Sequence, residues 1–430
     1  MPESVTLKLA GATVATVAGT RCRGVSRFGA LRYARAPVGA LRFAPPVPAP
    51  LHGEVNATAM GPVPPQLPSQ LARVMGACDA PQSEDCLHVT VWTPGTDAAR
   101  RPVIVWCHGG AWQSGGVLDW YDGESLARRG DVVVVGVSAR LGPLGWLLAE
   151  GGVANLGLLD MALALQWVAE NIASFGGDAR RVTAMGQSAG GANIAALLMR
   201  GTPGFQRAIL QSAPLGRSFR TAAAALSIGT TLLRAAGAAD LQQARTLPVE
   251  KLLRAQQAPE VAAAVRAQAD GYGLFAPVMD GVTLPASATP LASGAACQVD
   301  VLAGWNHDEM RAFQATGEPT ENETRAETEA RYAAPARQWA EQAAHAGRHA
   351  WLYRFDGLPG LPFGACHCAE LPFVFGTHDA FASAPMFPAQ GTANRQTLTR
   401  LTHAMQGAWL DFVHGRPLAW APSPQLHVFE

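Results

Sequence analysis

Gly186-Gln187-Ser188-Ala189-Gly190 sets a serine between two glycines, where an alternating apolar run gives way to helical spacing. A serine at the apex of a tight strand-to-helix turn lifts its hydroxyl above the sheet. Glycine on either side avoids a collision between Cβ and the adjoining strand and helix. The unpaired N–H groups that open the helix point to the same spot and favour developing negative charge. This is the setting of a nucleophile for acyl transfer. The bland readings are a glycine-rich βα turn or a phosphate cradle, and with 45 glycines in the chain a five-residue match alone is weak. No G-x-x-x-x-G-K-[ST] or G-x-G-x-x-G falls at a strand–helix junction, which weighs against nucleotide binding.

A second stretch, Cys107-His108-Gly109-Gly110-Ala111-Trp112, directly follows an apolar run. Backbone N–H groups converge on an anionic oxygen only where side chains are small. The spacing therefore assigns an oxyanion hole to the N–H groups of Gly110 and Ala111, joined by that of Ala189 from the elbow. The competing reading is an ordinary loop with a diglycine. His108 reads as a structural loop residue, too close to the hole to act as base. A serine needs a base, and the base an orienting acid, so two more residues must come from elsewhere.

The elements that would position these groups are legible as pattern. Residues 102–107 (PVIVWC), 132–138, 182–185, 208–211, 299–303 and 350–355 are short Val/Ile/Leu-rich runs, as expected of parallel strands buried on both faces. Leu158, Met161, Leu165, Val168 and Ile172 recur at helical spacing, with Gly176 and Gly177 closing the helix. Leu398, Leu401, Met405, Trp409 and Phe412 form a second stripe, ended by Gly415 and Pro417. Strand–helix alternation predicts an α/β fold with a mostly parallel, doubly wound central sheet. Residues 1–100 read as an N-terminal hairpin and loops. Residues 213–296 read as a helical insertion without strands, over the strand ends, and 325–347 as a second helical piece. No linker divides the 430 residues, so they are expected to form one domain.

Hydrophobic residues make up 48% of the chain and charged residues 15%, with zero formal net charge. That composition belongs to a well-cored protein, with no field to draw in nucleic acid or an anionic membrane. Seven cysteines, an odd and sparse set, argue against a disulfide framework. Without a secretory signal or an apolar span, a cytoplasmic location is expected.

The two glycine motifs belong to a longer ordered set: Leu41-Arg42-Phe43; Ser83-Glu84-Asp85-Cys86-Leu87; HGGAW; NLGLLDMALALQWVAENIASFGGD from Asn155; GQSAGG; PVMDGVTLP; GWNHDEMRAF from Gly304; and HCAELPFVFG from His367. Together they resemble the type-B carboxylesterase family of the α/β-hydrolase fold, which includes bacterial nitrobenzyl-type esterases and cholinesterases. The resemblance implies Glu309 as triad acid and His367 as base, in the order Ser…Glu…His, with no cofactor and no metal. Without it, Asp308 rivals Glu309 and His307 rivals His367. Cys366 and Cys368 flank His367, but adjacent side chains diverge and no further ligand motif supports a metal site. The resemblance also implies structural ion pairs Arg42–Glu84 and Arg140–Asp160.

Three departures stand out. Gln187 replaces the family's usual Glu before the nucleophile, which removes a partner for a cationic substrate. The loop from Cys78 to Cys86 is far shorter than the disulfide-closed loop of cholinesterases. The segment between Glu309 and His367 is short as well. A wide, apolar mouth lined by Trp112, Trp305 and Phe363, with Gln187 also touching substrate, is the resulting expectation. The expected function is hydrolysis of small-molecule carboxylic esters, bulky ones included, through an acyl-enzyme. A lipase, amidase or lactonase with the same triad is the alternative, and an inactive binding protein is the remote one.

Overall fold

The computed structural model describes residues 3–9, 15–77, 79–201, 204–268, 271–287, 289–314, 321–388 and 394–430. Its strands, in chain order, are β1 (Glu3–Leu9), β2 (Ala15–Cys22), β3 (Val25–Arg32), β4 (Gly53–Asn56), β5 (His88–Thr93), β6 (Arg101–Cys107), β7 (Val133–Val137), β8 (Gly177–Gln187), β9 (Arg207–Gln211), β10 (Arg220–Thr221), β11 (Val278–Met279), β12 (Asp300–Asn306), β13 (Ala350–Phe355) and β14 (Leu426–Phe429). Twelve of them form one sheet in the order β1-β2-β3-β5-β7-β6-β8-β9-β12-β13-β14, with β4 beside β2. From β7 to β14 each neighbour is parallel. The other end is antiparallel, through β1, β2, β3, β5 and β7. Arg23 and Gly24, both at positive φ, make the two-residue turn between β2 and β3.

The parallel half is covered on both sides, and its side chains alternate between two cores with the period of a strand. Val103, Val105, Val133, Val135, Val182, Ala184, Ala208, Leu210, Val301 and Ala303 face one core. Ile104, Trp106, Val132, Val134, Met185, Ile209 and Leu302 face the other. Helices Leu156–Asn171, Ala189–Met199 and Ala334–His345 supply the first core. Helix Arg395–His414 supplies the second, through Leu401, Met405, Trp409 and Phe412. Each such side chain contributes about 1.5–3 kcal/mol when fully buried.

Parallel connection brings the C-terminal ends of β6, β8 and β12 to one edge. Cys107 pairs in register with Gly186, Gln187 with Gln211, and Gly304 with Gln211 from the far side. The two glycine motifs and the Glu309 loop all leave the sheet there.

Two implied ion pairs tie the loops down. Arg140 donates through Nε to Asp160 Oδ2 at 2.8 Å and through Nη2 to Oδ1 at 2.6 Å, both residues buried. Arg42 donates from Nε to Glu84 Oε2 at 2.8 Å and pairs with Glu84 Oε1, while its Nη1 reaches Leu247 O at 2.6 Å. Asn155, in the left-handed region, donates to Val278 O at 2.8 Å and accepts from Val278 N at 2.7 Å. Cys78 lies outside the described residues, and Cys86 is a buried free thiol.

The structure differs from expectation in detail. The 213–296 insertion holds helices Ala222–Ala236, Val249–Ala255 and Pro259–Arg266, but it also pairs β10 with β11 in parallel. A two-residue strand carries no readable period. β14 escaped notice because its four residues mix His with apolar types. The second helical piece starts earlier, with Glu321–Thr328, and a wide π turn at Glu329–Ala333 separates it from Ala334–His345.

Candidate active site

Ser188 sits at φ 55° and ψ −123°, between β8 and the helix Ala189–Met199. That strained backbone persists because neighbours over-determine it. Ser188 N donates to Gln211 O of β9 at 2.8 Å, and Ala192 N closes the first helical turn on Ser188 O at 3.1 Å. The glycines are steric requirements. A Cβ on Gly190 would lie 1.9 Å from Cys107 O, and one on Gly186 2.6 Å from Gly190 C. On the facing loop, a Cβ on Gly109 would lie 2.9 Å from Gln187 O and 3.1 Å from Ser188 Cβ.

After β6 the chain turns sharply, with Gly110, Ala111 and Trp112 all at positive φ. Gln113 N and Ser114 N both return to Gly110 O at 3.0 Å. Among the described residues, the N–H groups of Gly110, Ala111 and Ala189 donate to no protein acceptor. His108 is buried with Nδ1 2.8 Å from Gly109 O, and burial lowers its pKa below the ordinary imidazole value.

Glu309 opens a short turn three residues past β12 and is fully buried. Its Oε1 accepts from Asn306 N at 2.9 Å, and its Oε2 lies 2.5 Å from His367 Nδ1. His367, equally buried, comes from the loop after β13, and its backbone N donates to Glu309 O at 3.2 Å. Asp308 is occupied elsewhere. Its Oδ2 accepts from Ala365 N at 3.0 Å, and its Oδ1 pairs with His307 at 3.2 Å and Arg311 at 3.5 Å. It pins the His367 loop and keeps its rival His307 outside the buried pair. The far nitrogen of His367, Nε2, meets Gln187 Nε2 at 3.1 Å. The Ser188 hydroxyl makes no hydrogen bond among the described residues. The structure thus joins the expected base, His367, to the expected acid, Glu309, and brings both to the end of the sheet where Ser188 emerges, with no Ser188–His367 hydrogen bond among the described residues. Such bonds often tighten only in the complex.

A second buried carboxylate went unnoticed in the sequence. Glu370 Oε2 accepts from Asn306 Nδ2 at 2.7 Å and Oε1 from Gln211 Nε2 at 3.1 Å. Gln211 Oε1 in turn accepts from Trp409 Nε1 at 3.1 Å. Burial, reinforced by Glu309, pushes the Glu370 carboxyl up. A lone Glu inside the apolar run HCAELPFVF was the available signal. Rings were missed too: Phe313 and Tyr332 lie 5.1 and 5.4 Å from the His367 ring centre. Burial also pushes the Cys366 and Cys368 thiols up, so both stay neutral packing groups at ordinary pH.

The expected lining needs correction. Trp112 and Trp305 are each 4% exposed and turned into the interior. Trp112 donates from Nε1 to Asn193 Oδ1 at 2.8 Å and meets Trp146 and Tyr272 edge-on, while Trp305 lies beneath the Arg337 guanidinium. Positive φ at 112 sends the indole away from the cleft, and strand alternation sends Trp305 to the helix face. Phe363 borders a polar cavity of about 340 Å³ with Arg73, Arg311 and Arg325. Ser188 instead opens on a cavity of about 50 Å³ beside Gly110, Ala111, Leu71 and Phe313. A neighbouring cavity of about 190 Å³ is lined by Leu67, Leu71, Met75, Leu118, Trp120 and Gln187, among others. These walls come from residues 67–76 and 118–121, where loops alternate with the single helical turns Ala72–Met75 and Asp119–Tyr121, too short to carry a period.

The profile of the carboxylesterase family matches residues 4–333. The chain belongs to the carboxylesterase family. It is a carboxylic ester hydrolase with an α/β-hydrolase fold. This carboxylesterase is 36% identical to the para-nitrobenzyl esterase of Bacillus subtilis, over 92% of this chain and 87% of that one. It is 37% identical to a probable N-octanoylanthranilate hydrolase of Rhodococcus erythropolis, over 91% and 89% of the two chains. A solved PNB esterase superimposes with a TM-score of 0.85 at 32% identity, covering 99% of this chain and 95% of its own. Among the described residues no helix is long and apolar enough to cross a membrane.

Proposed function

We propose that this carboxylesterase cleaves esters through a Ser188–His367–Glu309 triad. Ser188 Oγ attacks the ester carbonyl as its proton passes to His367 Nε2. Glu309 holds the Nδ1 proton and stabilises the imidazolium. The N–H groups of Gly110, Ala111 and Ala189 bind the oxyanion, as their free state suits them to do. The imidazolium gives its proton to the leaving alcohol, which departs and leaves an acyl-enzyme. Water, deprotonated by His367, then releases the acid and restores Ser188.

The observation that carries this reading is the buried 2.5 Å contact of His367 Nδ1 with Glu309 Oε2, at the sheet edge where strained Ser188 emerges. A fluorophosphonate probe tests it: the adduct maps to Ser188 by mass spectrometry. A labelled site elsewhere, or none in folded protein, overturns the reading.

The substrate we favour is an uncharged ester with an apolar arm of middle size, since the cavity of about 190 Å³ beside Gln187 is walled mainly by apolar side chains. Rates on p-nitrophenyl esters of increasing acyl length, and on one large aryl ester, check this. An optimum at the shortest ester counts against an apolar arm, and equal rates on the large one restore the wide mouth. A reducing, cytoplasmic setting fits four buried free thiols, Cys86, Cys107, Cys366 and Cys368. Enrichment of the enzyme in a secreted fraction would count against it.

A further inference from the structure

Gln187 is buried beside the nucleophile, yet its side chain serves the base. Glu309, a carboxylate that can only accept, sits 2.5 Å from His367 Nδ1, so Nδ1 carries the proton. A neutral imidazole then presents a lone pair at Nε2. The Gln187 amide nitrogen lies 3.1 Å from that atom, the distance and polarity of an N–H donated into a lone pair. The hydrogen-bond network assigns the amide's orientation. The same nitrogen lies 3.3 Å from Cys368 Sγ, so its second N–H meets another acceptor. Turned over, Oε1 would face the Nε2 lone pair instead. The amide has room because residue 109 is glycine: a Cβ there would come 2.5 Å from Oε1.

We propose that Gln187 is a positioning residue acting through His367: its N–H rests on the imidazole lone pair, holds the base neutral with the proton on Nδ1, and yields when Ser188 turns toward Nε2. The proposal rests on the triad reading above. It explains why, among the described residues, the Ser188 hydroxyl is unbonded while Nε2 is not. An imidazolium would oppose Nε2–H to the amide N–H, two donors face to face. Gln187 therefore favours the form of the base that accepts the serine proton. A carboxylate at position 187 cannot donate and would attract an Nε2–H, favouring the protonated form that cannot act as base.

The titratable groups around His367 are Glu309 from the turn after β12, Glu370 and the flanking Cys366 and Cys368 from its own loop, and Tyr332 from the Glu329–Ala333 turn. None of these changes in Q187E, so a changed pH response traces to residue 187.

The test is ¹⁵N NMR of the His367 imidazole in wild-type protein, Q187E and Q187M between about pH 5 and 8, with kcat/KM for a neutral p-nitrophenyl ester over the same range. In wild type, Nε2 carries the signature of a hydrogen-bonded acceptor at neutral pH. In Q187E that signature gives way to an Nε2–H signal, and the acidic limb of kcat/KM moves toward higher pH. At the wild-type midpoint, kcat/KM then falls several-fold while the alkaline plateau changes less. In Q187M the acceptor signature at Nε2 is lost. Identical imidazole spectra in all three proteins, or a pH-independent loss of rate alone, overturn the proposal. If Q187E does not fold, an unchanged Nε2 signal in Q187M overturns it. The spectra need no turnover, so failure here is distinct from failure of the triad reading.

Discussion

The two sides of the active site are built by different physics. On the Ser188 side, the elbow and the loop after β6 are fixed by steric exclusion: Gly186, Gly190 and Gly109 each leave no room for a Cβ. On the His367 side, position is fixed by a buried polar network across three chain segments, in which Asn306 donates to Glu309 and Glu370 and Gln211 donates to Glu370. The steric side tolerates no added atom. On the polar side each lost partner is costly, because a buried donor or acceptor left without one costs its desolvation. Gln187 lies where the two meet.

The most damaging single change is expected at the apex of the steric side. Ser188→Ala lowers kcat by about four or more orders of magnitude with the fold intact, read by ester turnover and far-UV circular dichroism. Turnover retained near wild type would remove Ser188 from the chemistry. Gly190→Ala attacks the same side through packing alone. Its Cβ would stand 1.9 Å from the Cys107 carbonyl, so the elbow must shift, and both activity and stability fall, the latter by about 1–3 kcal/mol or more. Denaturant midpoints of the variant check this, and an unchanged midpoint with full activity would mean that the two strand ends are not so closely packed.

Away from the site, a buried charge pair obeys the rule of the polar side. Asp160→Ala strands the Arg140 guanidinium, which is buried and donates to Asp160 through two nitrogens, and should cost about 3–5 kcal/mol. Replacing both partners with apolar residues should recover part of that loss in urea denaturation. A double variant as unstable as the single would contradict an uncompensated charge as the cause.

The smallest effect is a pH dependence on the steric side. Burial lowers the pKa of His108 below the ordinary value of 6.5, as it does for His88. Between the depressed folded value and 6.5 the unfolded chain binds protons that the native state does not, so stability falls as pH falls below 6.5. The limiting slope is about 1.4 kcal/mol per pH unit for each histidine. His108→Gln should flatten that slope in denaturation curves across the range, and an unaltered slope would assign it to other groups.

The same division decides what was legible in the sequence. Steric demands write themselves locally: the glycines around Ser188 and in the loop after β6 marked the tight turns at both strand ends, and with them the expected nucleophile and oxyanion donors, while short Val/Ile/Leu-rich runs announced the parallel strands. The polar side is long-range. No spacing rule links Glu309 to His367, 58 residues on, and only the family resemblance singled them out. Glu370 passed unseen because its partners Asn306 and Gln211 lie on two other strands. Trp112 and Trp305 were misjudged as pocket walls because exposure of an aromatic follows from backbone φ and strand phase, neither of which composition reveals.

Both sides must converge on one reacting carbonyl, and a crystal structure of the enzyme inactivated by a phosphonate ester would show whether they do. The expected structure has phosphorus bonded to Ser188 Oγ, the phosphoryl oxygen within hydrogen-bond reach of the N–H groups of Gly110, Ala111 and Ala189, and His367 Nε2 released from Gln187 toward the Ser188 oxygen. A phosphonate on any other residue, or on Ser188 with its oxygen turned away from those amides and His367 still held by Gln187, would contradict that convergence.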